Sequence, residues 1–273
     1  METAGAHWVY QEVRELRVQS SARIIRQDWD GISRGLADLA IERGWWLADG
    51  TKLDFAEAMG ERIQDQSDTL PRWGKATLHL QEQNGHIDLP FLRRLLSDHS
   101  EPPEPAHGYR LEHPSQESLC RHGYTFPGET TLASLVVSLP RDPRQPVVAW
   151  CAFGPPCLSC YFPIFLCGDL PPAFTPDAGL APGKLWPAIL RLMKLTAVDP
   201  DRRLQIQEGF TRLQARFDQE AEEFTGEARD LGIRGRQMEL RRQATSLMQY
   251  NLERFEELVQ ETLSVEMVWS GEW

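Results

Sequence analysis

The chain has 273 residues with 41% apolar and 25% charged side chains, ordinary values for a globular protein with enough length for one large domain or two small ones. Its formal charge of −11 excludes a general nucleic-acid binder, which needs a basic face to neutralise phosphates. Five cysteines, an odd number with no signal-peptide pattern, point to a reducing compartment, the cytoplasm, rather than to a disulfide framework.

Taken in order, Trp8–Tyr10 and Ala22–Ile25 read as short strands. Gly31-Ile32-Ser33-Arg34-Gly35 matches the G-x-S-x-G pattern that exposes a nucleophilic serine, here Ser33, to a histidine. That elbow belongs after several parallel strands, and five residues with two glycines match readily by chance, so the segment is read as a turn before a helix over Leu36–Glu42, stopped at Gly44. Asp54 and Glu57 open a helix over Phe55–Ile63; Ser67–Gly74, carrying Pro71 and Arg72, is expected to be a loop. Ala76–Leu80 is a short element followed by an Asn84-Gly85 turn. Asp88, with Pro90 in the first turn, caps a helix over Phe91–Leu96, and the proline-rich stretch Glu101–His113 reads as a surface loop or lid.

The centre of the chain is three apolar runs, Leu132–Leu139, Val147–Phe153 and Ser159–Leu166, separated by proline-rich turns. With so little polar alternation they are expected to form a sheet covered on both faces. Val147–Gly168 is long enough to cross a bilayer, but Pro155, Pro156 and Pro163 would each cost roughly 3 kcal/mol inside a helix, and no membrane span is expected. From Leu204 to Leu258 apolar residues recur mostly at three- and four-residue spacing, giving two amphipathic helices hinged at Gly232–Gly235. The domain reading is a core over 1–200 and a helical hairpin over 201–268 docked on it. The Arg-rich run Arg234–Arg242 alternates with other residue types and reads as a solvated helix face.

Cys157-x-x-Cys160 has metal or redox spacing, but no second pair or clustered histidine completes four ligands, so no metal and no cofactor is expected. Cys120-Arg121-His122 places a thiol near an imidazole without a geometry that couples them.

Several of these segments, in the same order, resemble the secernin and bacterial dipeptidase family. They are Glu2-Thr3-Ala4-Gly5 with Trp8, Arg43-Gly44-Trp45-Trp46, Asp54-Phe55-Ala56, Thr131-x-x-Ser134-x-x-Val137, and Gly154-Pro155-Pro156-Cys157-x-Ser159-x-Tyr161-Phe162-Pro163. The resemblance implies an α+β fold, a partial four-layer αββα sandwich of the N-terminal nucleophile hydrolase type closed by a C-terminal helical hairpin. It also implies hydrolysis of dipeptides by an N-terminal cysteine whose own α-amine serves as base. Met1-Glu2 falls inside a motif downstream of that nucleophile, so the chain is expected to cover the C-terminal two-thirds of a family member and to be inactive alone. Its partners would then be a small peptide substrate and an N-terminal chain or subunit that supplies the cysteine. Arg72 is carried over as a site arginine; Ser20, with Ser21, falls where relatives place an oxyanion-binding asparagine. The alternative reading is a non-catalytic binding or scaffold protein that keeps the fold.

Overall fold

A computed structural model describes residues 1–59, 69–99, 118–121, 130–174, 185–198 and 200–269. The fold is α+β, with two three-stranded antiparallel sheets among the described residues, and no described helix is long and apolar enough to cross a membrane. The chain divides into two compact units, one built from the described residues up to Ile87 together with Ser118, the other from Asp88 onward.

In the first unit β1 (Glu2–Ala4) turns through Gly5, at φ 59°, into β2 (His7–Tyr10), which pairs on its other side with β3 (Gly31–Ile32). Ala22–Ile25 is not a strand. Its backbone donors are taken by a side chain instead: the Glu2 carboxylate, only 5% exposed, accepts the N–H groups of Ile24 at 2.9 Å and Ile25 at 3.2 Å. A buried carboxylate is tolerated because charge-assisted bonds replace its hydration. Helix α1 (Leu36–Glu42) stands where the sequence places it and ends before Gly44, whose φ of 71° only glycine adopts without strain. Asp54 caps α2 (Phe55–Met59) by accepting the Glu57 N–H at 2.9 Å, while its other oxygen binds Arg26 Nε at 2.7 Å. Val9, Ile25, Leu36, Leu53 and Phe55 form the core of this unit.

The loop expected over Ser67–Gly74 is corrected: α3 runs Thr69–Glu82 and includes Pro71 and Arg72. Pro71 is the third residue of the described helix, in its first turn, where proline is tolerated because first-turn N–H groups have no intrahelical acceptor.

The second unit begins with Asp88, whose side chain accepts the Phe91 N–H at 2.7 Å and caps α4 (Leu89–Leu96). Strands β4 (Ala133–Ser138), β5 (Val148–Phe153) and β6 (Tyr161–Phe165) lie antiparallel in that order, in the register Ser134↔Ala152↔Tyr161. The expected double-sided cover holds for β5 and β6 and fails for β4: Leu135 is 59% and Val137 43% exposed, whereas Val136, on the opposite face, is buried. One of the two edge strands, β4 has packing partners on one face and open surface on the other among the described residues.

Helices α6 (Pro200–Ile233) and α7 (Gln237–Trp269) form the expected hairpin, turning through Gly235 at φ 68°. They pack on β6 through ring contacts, Phe217 against Phe162 and Phe224 against Phe165, with Phe255 reaching Phe153. At Gly168, just past β6, a Cβ would stand 2.7 Å from that of Ala244 and 2.9 Å from the Thr245 nitrogen, so the strand exit lies directly on α7. Helix α5 (Leu185–Val198), which the sequence reading did not mark, buries one face through Ala188, Ile189, Leu192 and Met193, while Leu190 on the other side is exposed.

Candidate functional site

The second unit alone builds a cleft of about 840 Å³ between the C-terminal half of α4, the Pro156–Leu158 turn, the start of β6 and one face of α6. Gln207, Phe210, Thr211, Gln214 and Asp218 recur at helical spacing and supply the α6 wall. Gln214 holds that wall to the sheet: its Oε1 accepts the Tyr161 N–H at 2.6 Å and its Nε2 donates to the Tyr161 carbonyl at 3.2 Å. A side-chain amide thus does for β6 what a neighbouring strand would do. Gln207 Nε2 likewise donates to the Cys157 carbonyl at 3.3 Å.

Arg93 is the principal charge of the cleft. Its side chain is 9% exposed, its Nη1 donates to both carboxylate oxygens of Asp218 at 2.7 and 2.9 Å, and its guanidinium lies 4.1 Å from the Trp150 ring centre. Its Nε and Nη2 are buried with no hydrogen-bond partner among the described residues. Arg93 shares the face of α4 that carries Leu89 and Leu96, residues packed against the core. An arginine inside an apolar stripe is the sequence signal that marks it, and the pattern reading passed over it.

Beneath the cleft, Tyr161 donates to or accepts from Ser134 across the sheet at 2.8 Å. Burial pushes its phenol up to about 12, partly offset by the Ser134 bond. The folded pKa is raised above the ordinary value near 10, so this contribution to stability is complete below about pH 10 and is lost as pH rises towards about 12. Phenolate absorbance is expected to appear for this residue only above the ordinary tyrosine range, and Tyr161→Phe should remove that late step from a spectrophotometric titration.

The residues marked by the sequence lie elsewhere. Ser20, half-buried in the connection between β2 and β3, has an Oγ with no hydrogen-bond partner among the described residues. Arg72 stands half-buried in the first turn of α3. Their neighbourhoods are joined, since Trp73 Nε1 donates to the Val18 carbonyl at 3.1 Å. Both belong to the first unit. Ser33 Oγ lies 3.1 Å from His7 Nδ1 and accepts the Trp8 N–H at 3.1 Å, so the hydroxyl ties the loop after β3 to β2. Among the described residues no carboxylate hydrogen-bonds His7 to complete a triad.

Cys157 and Cys160 have different environments: Cys160 is buried, and desolvation pushes its thiol far up, whereas Cys157 lines the cleft. Across the chain, however, Cys157 Sγ, Cys120 Sγ and a His99 ring nitrogen converge within 4.8 Å of one another. Sequence reasoning weighed only local spacing and missed this group. His122 and the Glu101–His113 stretch lie outside the described residues. Compared with known proteins, the chain matches no family model and no curated protein.

Proposed function

We propose that this chain is part of a dipeptidase-like cysteine amidohydrolase of the N-terminal nucleophile type, supplying sheet, helical cover and substrate cleft rather than the nucleophile. The observation that carries the reading is the Ser134–Tyr161 bond, which joins the Thr131-x-x-Ser134 segment to Tyr161-Phe162-Pro163 in one sheet. The turn between them is tied in as well, the Gly154 N–H donating to the Leu132 carbonyl at 2.8 Å. Segments that carry the family resemblance are therefore the ones this fold uses to hold β4, β5 and β6 together.

Three further features agree with it. The open face of β4, with Leu135 and Val137, suits the second sheet of a four-layer sandwich. The cleft offers guanidinium groups from Arg93, Arg94 and Arg203 beside the carboxylates of Asp98 and Asp218, complementary to the two ends of a dipeptide. No disulfide joins the described cysteines, in keeping with a cytoplasmic setting.

In this chemistry a thiolate attacks the amide carbonyl while the α-amine of the same residue takes its proton. The five cysteines of residues 1–273 are all internal and have no free α-amine. On this reading the purified chain hydrolyses dipeptides no faster than background. Co-expression with a segment that presents an N-terminal cysteine restores turnover, together with alkylation of that cysteine by iodoacetamide. Robust turnover by residues 1–273 alone, abolished by Ser33→Ala, would instead assign the activity to the Ser33–His7 pair.

A further inference from the structure

The geometry points to a zinc site formed by His99, Cys120 and Cys157 at the wall of the cleft in the second unit. This goes beyond the amidohydrolase reading, whose thiol-and-amine chemistry requires no metal, and it replaces the expectation of a metal-free chain.

The three ligands come from segments far apart in sequence, and the backbone fixes each of them. His99 follows the end of α4, and the carbonyl of its neighbour Asp98 accepts the N–H groups of both Leu119 at 3.1 Å and Cys120 at 3.0 Å. That double bond to one carbonyl sets Cys120 beside His99. Cys157 sits in the tight turn after Gly154-Pro155, closed by the Leu158 N–H on the Pro155 carbonyl at 3.0 Å, and held from α6 by Gln207. The three donor atoms lie within 4.8 Å of one another. A tetrahedral zinc, with bonds of about 2.3 Å to sulfur and about 2.0 Å to nitrogen, holds such atoms about 3.5–3.8 Å apart. Contraction by about an ångström, shared among three side chains, therefore makes the site.

The donor set selects the ion. Two thiolates and an imidazole are soft to borderline ligands that favour zinc over magnesium or calcium. Two thiolates also neutralise a divalent cation, so a site that includes the fully buried Cys120 carries no net charge. His99 and Cys157 line the cleft while Cys120 lies behind it, so the fourth position opens towards the cleft for a water or a donor atom of a bound molecule.

The test uses the whole chain purified without chelator from zinc-supplemented culture. About one zinc per chain is expected, and cobalt(II) added after zinc removal should give a thiolate-to-metal charge-transfer band. Cys120→Ser and Cys157→Ser should each lose the band, while Cys151→Ser, which changes a cysteine outside the group, should keep it. A footprint on the unaltered chain covers the case in which a variant fails to fold: zinc should slow alkylation of Cys157 at least about tenfold relative to the chelated protein. Zinc below about a tenth of stoichiometric with no cobalt band, a band that survives both serine variants, or Cys157 alkylation indifferent to zinc would overturn the assignment.

Discussion

Replacing Phe217 by alanine is expected to destabilise the second unit by about 3–5 kcal/mol in denaturant melts. Phe217 is fully buried at the middle of α6, its ring meeting Phe162 edge-on at 5.8 Å between centres. Truncation removes the transfer free energy of the ring and leaves a cavity that neither β6 nor α6 can collapse to fill. Both are pinned beside it, by Gln214 to Tyr161 and by Arg93 to Asp218. A loss below about 1 kcal/mol would mean that the helical stripe does not depend on the sheet for its burial.

The second large effect concerns charge rather than volume. Asp218→Ala leaves the buried Arg93 guanidinium without its carboxylate and is expected to cost about 2–4 kcal/mol, the lower end reflecting that Asp218 is itself 41% exposed. Arg93→Met in the same background should recover most of that loss. The shorter, unbranched apolar side chain continues the stripe of Leu89 and Leu96 and leaves no buried charge beside the Trp150 ring. The double-mutant cycle on stability separates the two contributions. If Arg93→Met is as costly with Asp218 absent as with it present, the pair is not coupled and the cation lies in a wetter place than its burial indicates.

Local chemistry explains which elements the sequence made legible. Asp88 with Pro90 specified the start of α4, Gly44 the end of α1, and the Phe and Leu spacing the α6–α7 hairpin, because each depends on residues within one or two turns. Pro71 misled because a proline breaks a helix interior yet is harmless in a first turn, and nothing nearby distinguishes the two. Ala22–Ile25 has strand-forming residues, but Glu2, more than 20 positions away, captured its amides. The cleft was the least legible part. Arg93 needs Asp218, and Cys157 meets His99 and Cys120, through contacts that only the assembled sheet and helices bring about.

The order of elements along the chain also sets a problem for synthesis. Strands β5 and β6 are complete at Phe165, whereas the rings and the thioether that cover them, from Phe217 through Met248 to Phe255, come up to about 90 residues later. At about 5–20 residues per second, a ribosome leaves the apolar face of β6 without its helices for several seconds or more. During that interval Phe162 and Phe165 present the kind of surface that chaperones hold, so the yield of folded chain should depend on elongation rate and chaperone supply as much as on the stability of the finished fold.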